Sequence, residues 1–383
     1  MLRPQRQWWI VGSVAALAVA ACGSTSASTT PTPRPHATAT ATPSPSTVVT
    51  STQYAWTQLT PASSPLARNS AGFAYDAATG TDLLTGGRTG CSPNSGQYVD
   101  TWSWNGTTWT QLHPKVDGPG EMAWFSMAYD AATGQEIAVG AYSGCGISTG
   151  MWTWNGSQWT QAPQDVVLPD ALDSYSLAYD AATHTVILVG YAVPSDDGEP
   201  QLPGHSGPET WSWNGSKWTF LHPATSPPSV EDPSIAYDAA TQQVVLFGGE
   251  LVSNPGNITQ NGEASGATWL WNGTTWTEAS APVSAPARFG ASMAYDPDLG
   301  ATVLFGGVVG NVTADPPTGV ITVFDDMWSW NGTMWIQMQP ATLPPGRFFS
   351  QMTYDATRHE LVLFGGSLNA NADANDTWVF RTS

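Results

Sequence analysis

Three arginines recur at one fixed distance, seven residues, ahead of a repeated tyrosine: Arg68, Arg288 and Arg347 stand where other copies carry Met122, Leu172 and Val230. A guanidinium offers paired, planar N–H donors that grip a carboxylate bidentately, so three at equivalent positions could hold an anion or an acidic sugar. The same side chains could equally be packing residues, each neutralised by a carboxylate of a neighbouring repeat. Phe289, Phe348 and Phe349 flank two of them, and Glu121, Asp173, Glu231 and Asp232 fill the matching stretch of the other copies. A carboxyl there could serve as general acid or base toward a sugar held by the arginines.

The elements that must position these groups are written six times. Tyr-Asp followed by a short turn of small residues begins at Tyr75, Tyr129, Tyr179, Tyr237, Tyr295 and Tyr354, at steps of 54, 50, 58, 58 and 59 residues. Each copy continues into an apolar run, and the first five lead to a tryptophan-rich pair of strands around Asn-Gly, as in Trp102 to Trp109. Four strand-like pieces at this period predict an all-β fold, a six-bladed β-propeller. The sixth copy stops at Phe380 without its fourth piece, while an orphan Tyr54-Ala-Trp-Thr-Gln-Leu59 matches Trp109-Thr-Gln-Leu112. The N-terminal strand is therefore expected to complete the last blade and remove an exposed edge.

In such a meander the Asp-containing turns and the Asn-Gly turns share one face, and the longer connections share the other. The turns are near-identical, whereas the stretches 191–209, 250–267 and 308–325 differ in length and composition. Variable loops on a rigid scaffold are where binding concentrates. The arginines, on neighbouring blades 5, 6 and 1, would form an arc at the mouth of the channel on that loop face, opposite the acids of blades 2 to 4.

The glycine pairs beginning at Gly86, Gly248, Gly306 and Gly365, the downstream tryptophans and the arginines preceding three of the first strands resemble the kelch repeat. Residues 54–383 look like a bacterial six-bladed kelch propeller of the galactose-oxidase central-domain type. Copies two and three depart from it, with Gly140-Ala141 and Gly190-Tyr191 in place of the double glycine. The resemblance does not carry over a copper site: His184 and His359 fall in the tight turns, away from His113, His205 and His222, and no metal-ligand spacing appears. No cofactor or metal is expected. Asn369, Asn371, Asp373 and Asn375 alternate like oxygen ligands but lack the later bidentate Glu of a calcium loop.

Because tryptophan recurs at the same strand positions in each blade, it is read as packing between blades, with ligand stacking as the alternative. Trp124 lies off that pattern and is a better ligand candidate. The Asn-Gly-Thr/Ser sequences are read as hairpin chemistry rather than glycosylation acceptors.

Residues 1–21 carry Arg3 and Arg6 ahead of an apolar run too short to span a bilayer, the layout of a secretory signal. Val19-Ala-Ala-Cys22 resembles a lipobox, which implies cleavage before Cys22 and lipid on its sulfur. Residues 22–53 then form a Ser/Thr/Pro tether with almost no bulky apolar residue besides Val48 and Val49. Removing the leader takes the formal charge from −19 to −21, which makes nucleic acid a poor partner. Cys91 and Cys145, at equivalent loop positions of adjacent blades, are expected to form a disulfide.

The expectation is an exported, lipid-anchored binding propeller of the cell envelope, engaging a glycan, a peptide or an envelope protein through its loop face. The alternatives are an enzyme acting on acidic sugars, a sialidase-like hydrolase or a sugar epimerase or mutarotase, and a structural scaffold without a site.

Overall fold

The computed structural model describes residues 49–50, 54–89, 96–119, 122–142, 149–163, 172–192, 207–252, 263–312 and 320–382. Cys22, Cys91, Cys145, Glu121 and nearly all of the expected leader and tether lie outside them. Pro45–Ser383 clusters as one unit. Within it, six antiparallel sheets of four meandering strands form a six-bladed β-propeller.

Blade 1 consists of Gly72–Asp76, Thr81–Thr85, Thr101–Trp104 and Trp109–Leu112. The pattern repeats, with first strands at Met122–Asp130, Leu172–Asp180, Ser234–Asp238, Ser292–Asp296 and Gln351–Asp355. Each first strand touches the first strands of both neighbours, which closes the ring. The repeated Asp starts each tight turn: Asp76 Oδ1 accepts from the amides of Ala78 at 2.9 Å and Thr79 at 3.2 Å. Asn105 Oδ1 does the same for the third-to-fourth turn, accepting from Thr107 and Thr108, while Gly106 supplies the positive φ.

Closure follows the expected course. Tyr54–Leu59 pairs antiparallel along Thr377–Thr382, with Trp56 opposite Phe380, and becomes the fourth strand of blade 6. Ahead of it, Val49–Thr50 pairs parallel with Met338–Gln339 and adds a fifth strand to the outer edge of blade 5.

The fourth-strand tryptophans join the blades. Each indole N–H donates to the preceding blade: Trp109 to Thr377 Oγ1 at 2.8 Å, and Trp159, Trp276 and Trp335 to Thr101, Thr210 and Thr268, each at 2.9 Å. Trp218 and Trp56 complete the ring onto the sulfurs of Met151 and Met327. Five of these six indoles are at most 2% exposed, Trp218 being half-buried. The five buried indoles are core, as their repetition implied, and a ligand cannot stack on them.

Blades 2 and 3 differ from the rest for a local reason. Where the double glycine stands, both glycines adopt positive φ, as Gly248 and Gly249 do at 73° and 99°. The second strand then stops, and the chain bends into a small separate ladder such as Val230–Glu231 with Glu250–Leu251. With Gly140-Ala141 and Gly190-Tyr191 instead, the second strands run on unbroken as Gln135–Tyr142 and Thr185–Ala192.

Candidate functional site

The three arginines are each at most 1% exposed, and each is bound within its own blade. Arg68 Nη1 and Nη2 donate to the two oxygens of Asp100 at 2.6 and 2.9 Å, Nη1 also reaches Gly86 O at 2.8 Å, and Nε reaches Leu66 O at 3.0 Å. Arg288 repeats this with Asp326, Gly306 O and Pro286 O. Arg347 repeats it with Asp376, Gly365 O and Pro345 O. Tyr98 and Phe324 lie against two of the guanidiniums, at 4.1 and 3.8 Å from ring centroid to Cζ.

Meanwhile the arginine backbone belongs to the blade before. Gly366, Gly249 and Gly307 donate their amides to the carbonyls of Arg68, Arg288 and Arg347. A Cβ on Gly248 or Gly306 would lie 2.3 Å from the Arg288 or Arg347 carbonyl, so the first glycine of the pair is what lets the blades meet. Each arginine is thus an inter-blade strut: main chain tied to one blade, side chain to the next.

The arc of arginines expected to hold an anion is therefore committed to aspartates. The packing alternative expected a carboxylate from a neighbouring blade, and the partner instead lies in the same blade. Burial raises the Asp100, Asp326 and Asp376 carboxyls, but hydrogen bonds and charge from the arginines outweigh it, helped by the indoles of Trp102, Trp328 and Trp378, and all three sit below the ordinary carboxylate value.

A sequence signal for this was present. The aspartate two residues before the first tryptophan of the third strand occurs in blades 1, 5 and 6, the blades with arginine. Blades 2 and 4 lose both partners together, having Met122 with Gly150 and Val230 with Ala267. Blade 3 keeps an acid, Glu209, which accepts from Trp211 Nε1 at 2.7 Å.

The channel mouth is built two residues after each arginine position, at Ser70, Trp124, Ser174, Asp232, Gly290 and Phe349. Asp232 N donates to Ser174 Oγ, Gly290 N to Asp232 O, Phe349 N to Gly290 O and Ser70 N to Phe349 O, an unbroken arc from blade 3 to blade 1. This geometry puts Ser70, Asp232, Gly290 and Phe349 in left-handed backbone, at φ 52°, 49°, 61° and 53°. Phe349 and Asp232 are half-exposed there; Phe289 and Phe348 are buried with Val308 and Val312 in a small apolar cluster, and Phe349 packs against it with its ring 5.2 Å from that of Phe348. Glu231 is buried and accepts from Tyr191 Oη at 2.6 Å. The side chains of Trp124 and Asp173 lie outside the described residues.

The first strands carry a further feature that sequence reading passed over. Blades 2 to 5 spell Ser-x-Ala-Tyr-Asp at 126–130, 176–180, 234–238 and 292–296. Ser176, Ser234 and Ser292 donate to the next blade's carbonyls at Pro233, Ala291 and Ser350, and Ser126 Oγ accepts from Leu177 N. The recurrent serine in an otherwise apolar strand was the available clue. In the loop at 369–375, Asn369 Oδ1 accepts from Asn371 N, and Asp373 Oδ1 accepts from Ser367 and Asn69. Among the described residues no group of three His, Cys, Asp or Glu side chains is placed to hold a metal ion.

The fold defines a six-bladed β-propeller with a mouth framed by strained backbone. No protein-family model and no curated protein sequence matches the chain. Solved structures do. One titled "Structure of YjhT" is 13% identical with a TM-score of 0.58, covering 83% of this chain and 95% of that one. A protein of unknown function from Dyadobacter fermentans DSM 18053 is 10% identical with a TM-score of 0.52, covering 86% and 98%. Likeness at this identity extends to the fold alone.

Proposed function

We propose that the chain is a binding propeller of kelch type that engages a glycan, a peptide or an envelope protein through its loop face. The observation that carries this is the retention of Phe349 and Asp232 at the mouth. Both occupy left-handed backbone that glycine, used at the equivalent Gly290, adopts without strain. A side chain as bulky as that of Phe349 costs about 1–2 kcal/mol there and is rare at positive φ, whereas aspartate enters this region more readily, so Phe349 is the stronger mark of a constrained position.

On the opposite face several exposed polar groups bond to neighbouring blades. Tyr75 Oη meets Thr357 Oγ1 at 2.7 Å, Tyr354 Oη donates to Asp298 at 2.7 Å, and Arg358 reaches Gly80 O. Loops of unequal length therefore remain the adaptable surface. The lipobox-like Val19–Cys22 and the Ser/Thr/Pro stretch support tethering to a cell envelope. An enzyme acting on acidic sugars loses the arginines it relied on to hold the substrate carboxylate.

The test is a glycan and envelope-extract binding screen with the fragment beginning near Thr52, beside Phe349→Gly and Asp232→Gly. Glycine suits the backbone at both sites, but Phe349→Gly also removes packing on the Phe289–Phe348 cluster, so melting temperatures accompany the screen and binding should fall in variants that remain folded. Failure to capture any ligand, or capture unchanged in both variants, would refute this reading.

A further inference from the structure

One register position of the second strand faces the repeated aspartate of the preceding blade in blades 1, 2 and 5. It lies opposite the repeat tyrosine and is occupied by Asp82, Glu136, Val186, Val244, Thr302 and Leu361. Blade 5 shows what it does: the Thr302 hydroxyl donates to Asp238 Oδ2 at 3.0 Å, while Asp238 Oδ1 accepts from the amide of Thr241 in its own turn. A donor there stitches two blades together.

In blades 1 and 2 the same position carries a carboxyl group. Asp82 and Glu136 are fully buried, and none of their four oxygens has a hydrogen-bond partner among the described residues. A buried carboxylate that receives no donor is strongly unfavourable, and a neutral acid is the usual escape.

The surroundings leave little else to neutralise them. Around Glu136 stand Asp76 and Asp82, with Tyr129 across the strand pair; Asp76 uses Oδ1 to cap its own turn. Around Asp82 stand Asp355, Glu360 and Arg358, with Tyr75 across the pair. Arg358 is bound to Asp355 Oδ2 and to Gly80 O, and Glu360 pairs with Arg381 at 2.5 Å. Burial first, and the neighbouring carboxylates second, push both groups well above the ordinary range.

We infer that Asp82 and Glu136 are held as neutral carboxylic acids whose O–H groups take the place of the Thr302 hydroxyl, Glu136 toward Asp76 and Asp82 toward Asp355. Blade 1 is then latched on both sides by a proton. A group whose folded value is raised stabilises fully below its unfolded value, and that contribution disappears as pH rises through the folded value. The propeller therefore has a built-in weakness toward alkali at the 6–1 and 1–2 seams.

The experiment measures urea midpoints of the propeller fragment from about pH 5 to about pH 9 for wild type, Glu136→Gln, Asp82→Asn and the double variant. The wild-type unfolding constant should rise by up to about tenfold per pH unit for each proton released. The amide variants donate without ionising, so they should lose that slope and exceed wild type at the alkaline end. A difference that stays flat with pH, or amide variants weaker than wild type in alkali, overturns the inference. Should the variants fail to fold, infrared spectra of the wild type decide: a protonated-carboxyl band present at neutral pH and lost on unfolding supports the latch, and its absence refutes it.

Discussion

Replacing Arg288 by valine should destabilise the propeller, and replacing Asp326 by alanine in the same molecule should restore much of the loss. The chain supplies the template, because blade 4 builds the same position from Val230 and Ala267. Arg288 has a fully buried side chain and Asp326 one only 18% exposed. Valine alone strands that carboxylate and the Gly306 and Pro286 carbonyls. Breaking a buried pair from one side costs about 3–5 kcal/mol, and the partial exposure of Asp326 argues for the lower end, about 3 kcal/mol. The double variant removes the stranded charge and leaves Trp328 Nε1 without its acceptor, a loss of about 1–2 kcal/mol. Trp152 and Trp269, in the blades without that aspartate, already carry buried Nε1 atoms with no partner among the described residues. Urea unfolding of the four members of the cycle gives the coupling energy, expected at about 1 kcal/mol or more in favour of the double variant. Additive losses would refute the strut reading, and Arg288→Val with undiminished stability would return the arginine to the list of ligand-binding groups.

Deleting Tyr54 to Leu59 should lower the melting temperature far more than deleting residues 23–48, since only the former removes a strand and the buried Trp56, a side chain worth about 3–5 kcal/mol on truncation; equal effects would refute the observed closure. Thr268→Val should cost about 1–2 kcal/mol in thermal or urea unfolding, because it orphans the buried Trp335 indole N–H while keeping the shape of the side chain. Acid should act like loss of Asp100, Asp326 and Asp376: their lowered values make the arginine pairs fully stabilising above the ordinary 3.8 and progressively lost as pH falls through the depressed values, so melting temperature should drop at the acid end and recover on neutralisation. Cys91 and Cys145 should resist alkylation in the unfolded, unreduced fragment; two reactive thiols would show that the loops do not pair.

Much of the fold could be read because repetition multiplies weak signals. One Asn-Gly or one Tyr-Asp turn says little, but five copies of the first and six of the second in phase set the strand count, and the match of the orphan Tyr54–Leu59 to Trp109–Leu112 located the seam. The site was less legible because the meaning of Arg288 depends on Asp326, a residue 38 positions away whose pairing no local pattern displays. Comparing the copies column by column would have exposed it, through the joint loss of arginine and acid in blades 2 and 4. The strain at Phe349 was invisible for a different reason: sequence gives the residue type, and the sign of φ arises only when blades 5, 6 and 1 are docked.

The seam also orders events in the life of the chain. Tyr54–Leu59 is synthesised before blades 1 to 5, yet it has its place only beside Thr377–Thr382, which follows them in the chain. Until Thr377–Thr382 has been made, blade 6 lacks a middle strand and Trp56 lacks its cover from Phe380, 5.4 Å away between ring centroids. The ring therefore shuts only once Thr377–Thr382 is present: a product cut short anywhere before Thr377 lacks the strand on which Tyr54–Leu59 settles.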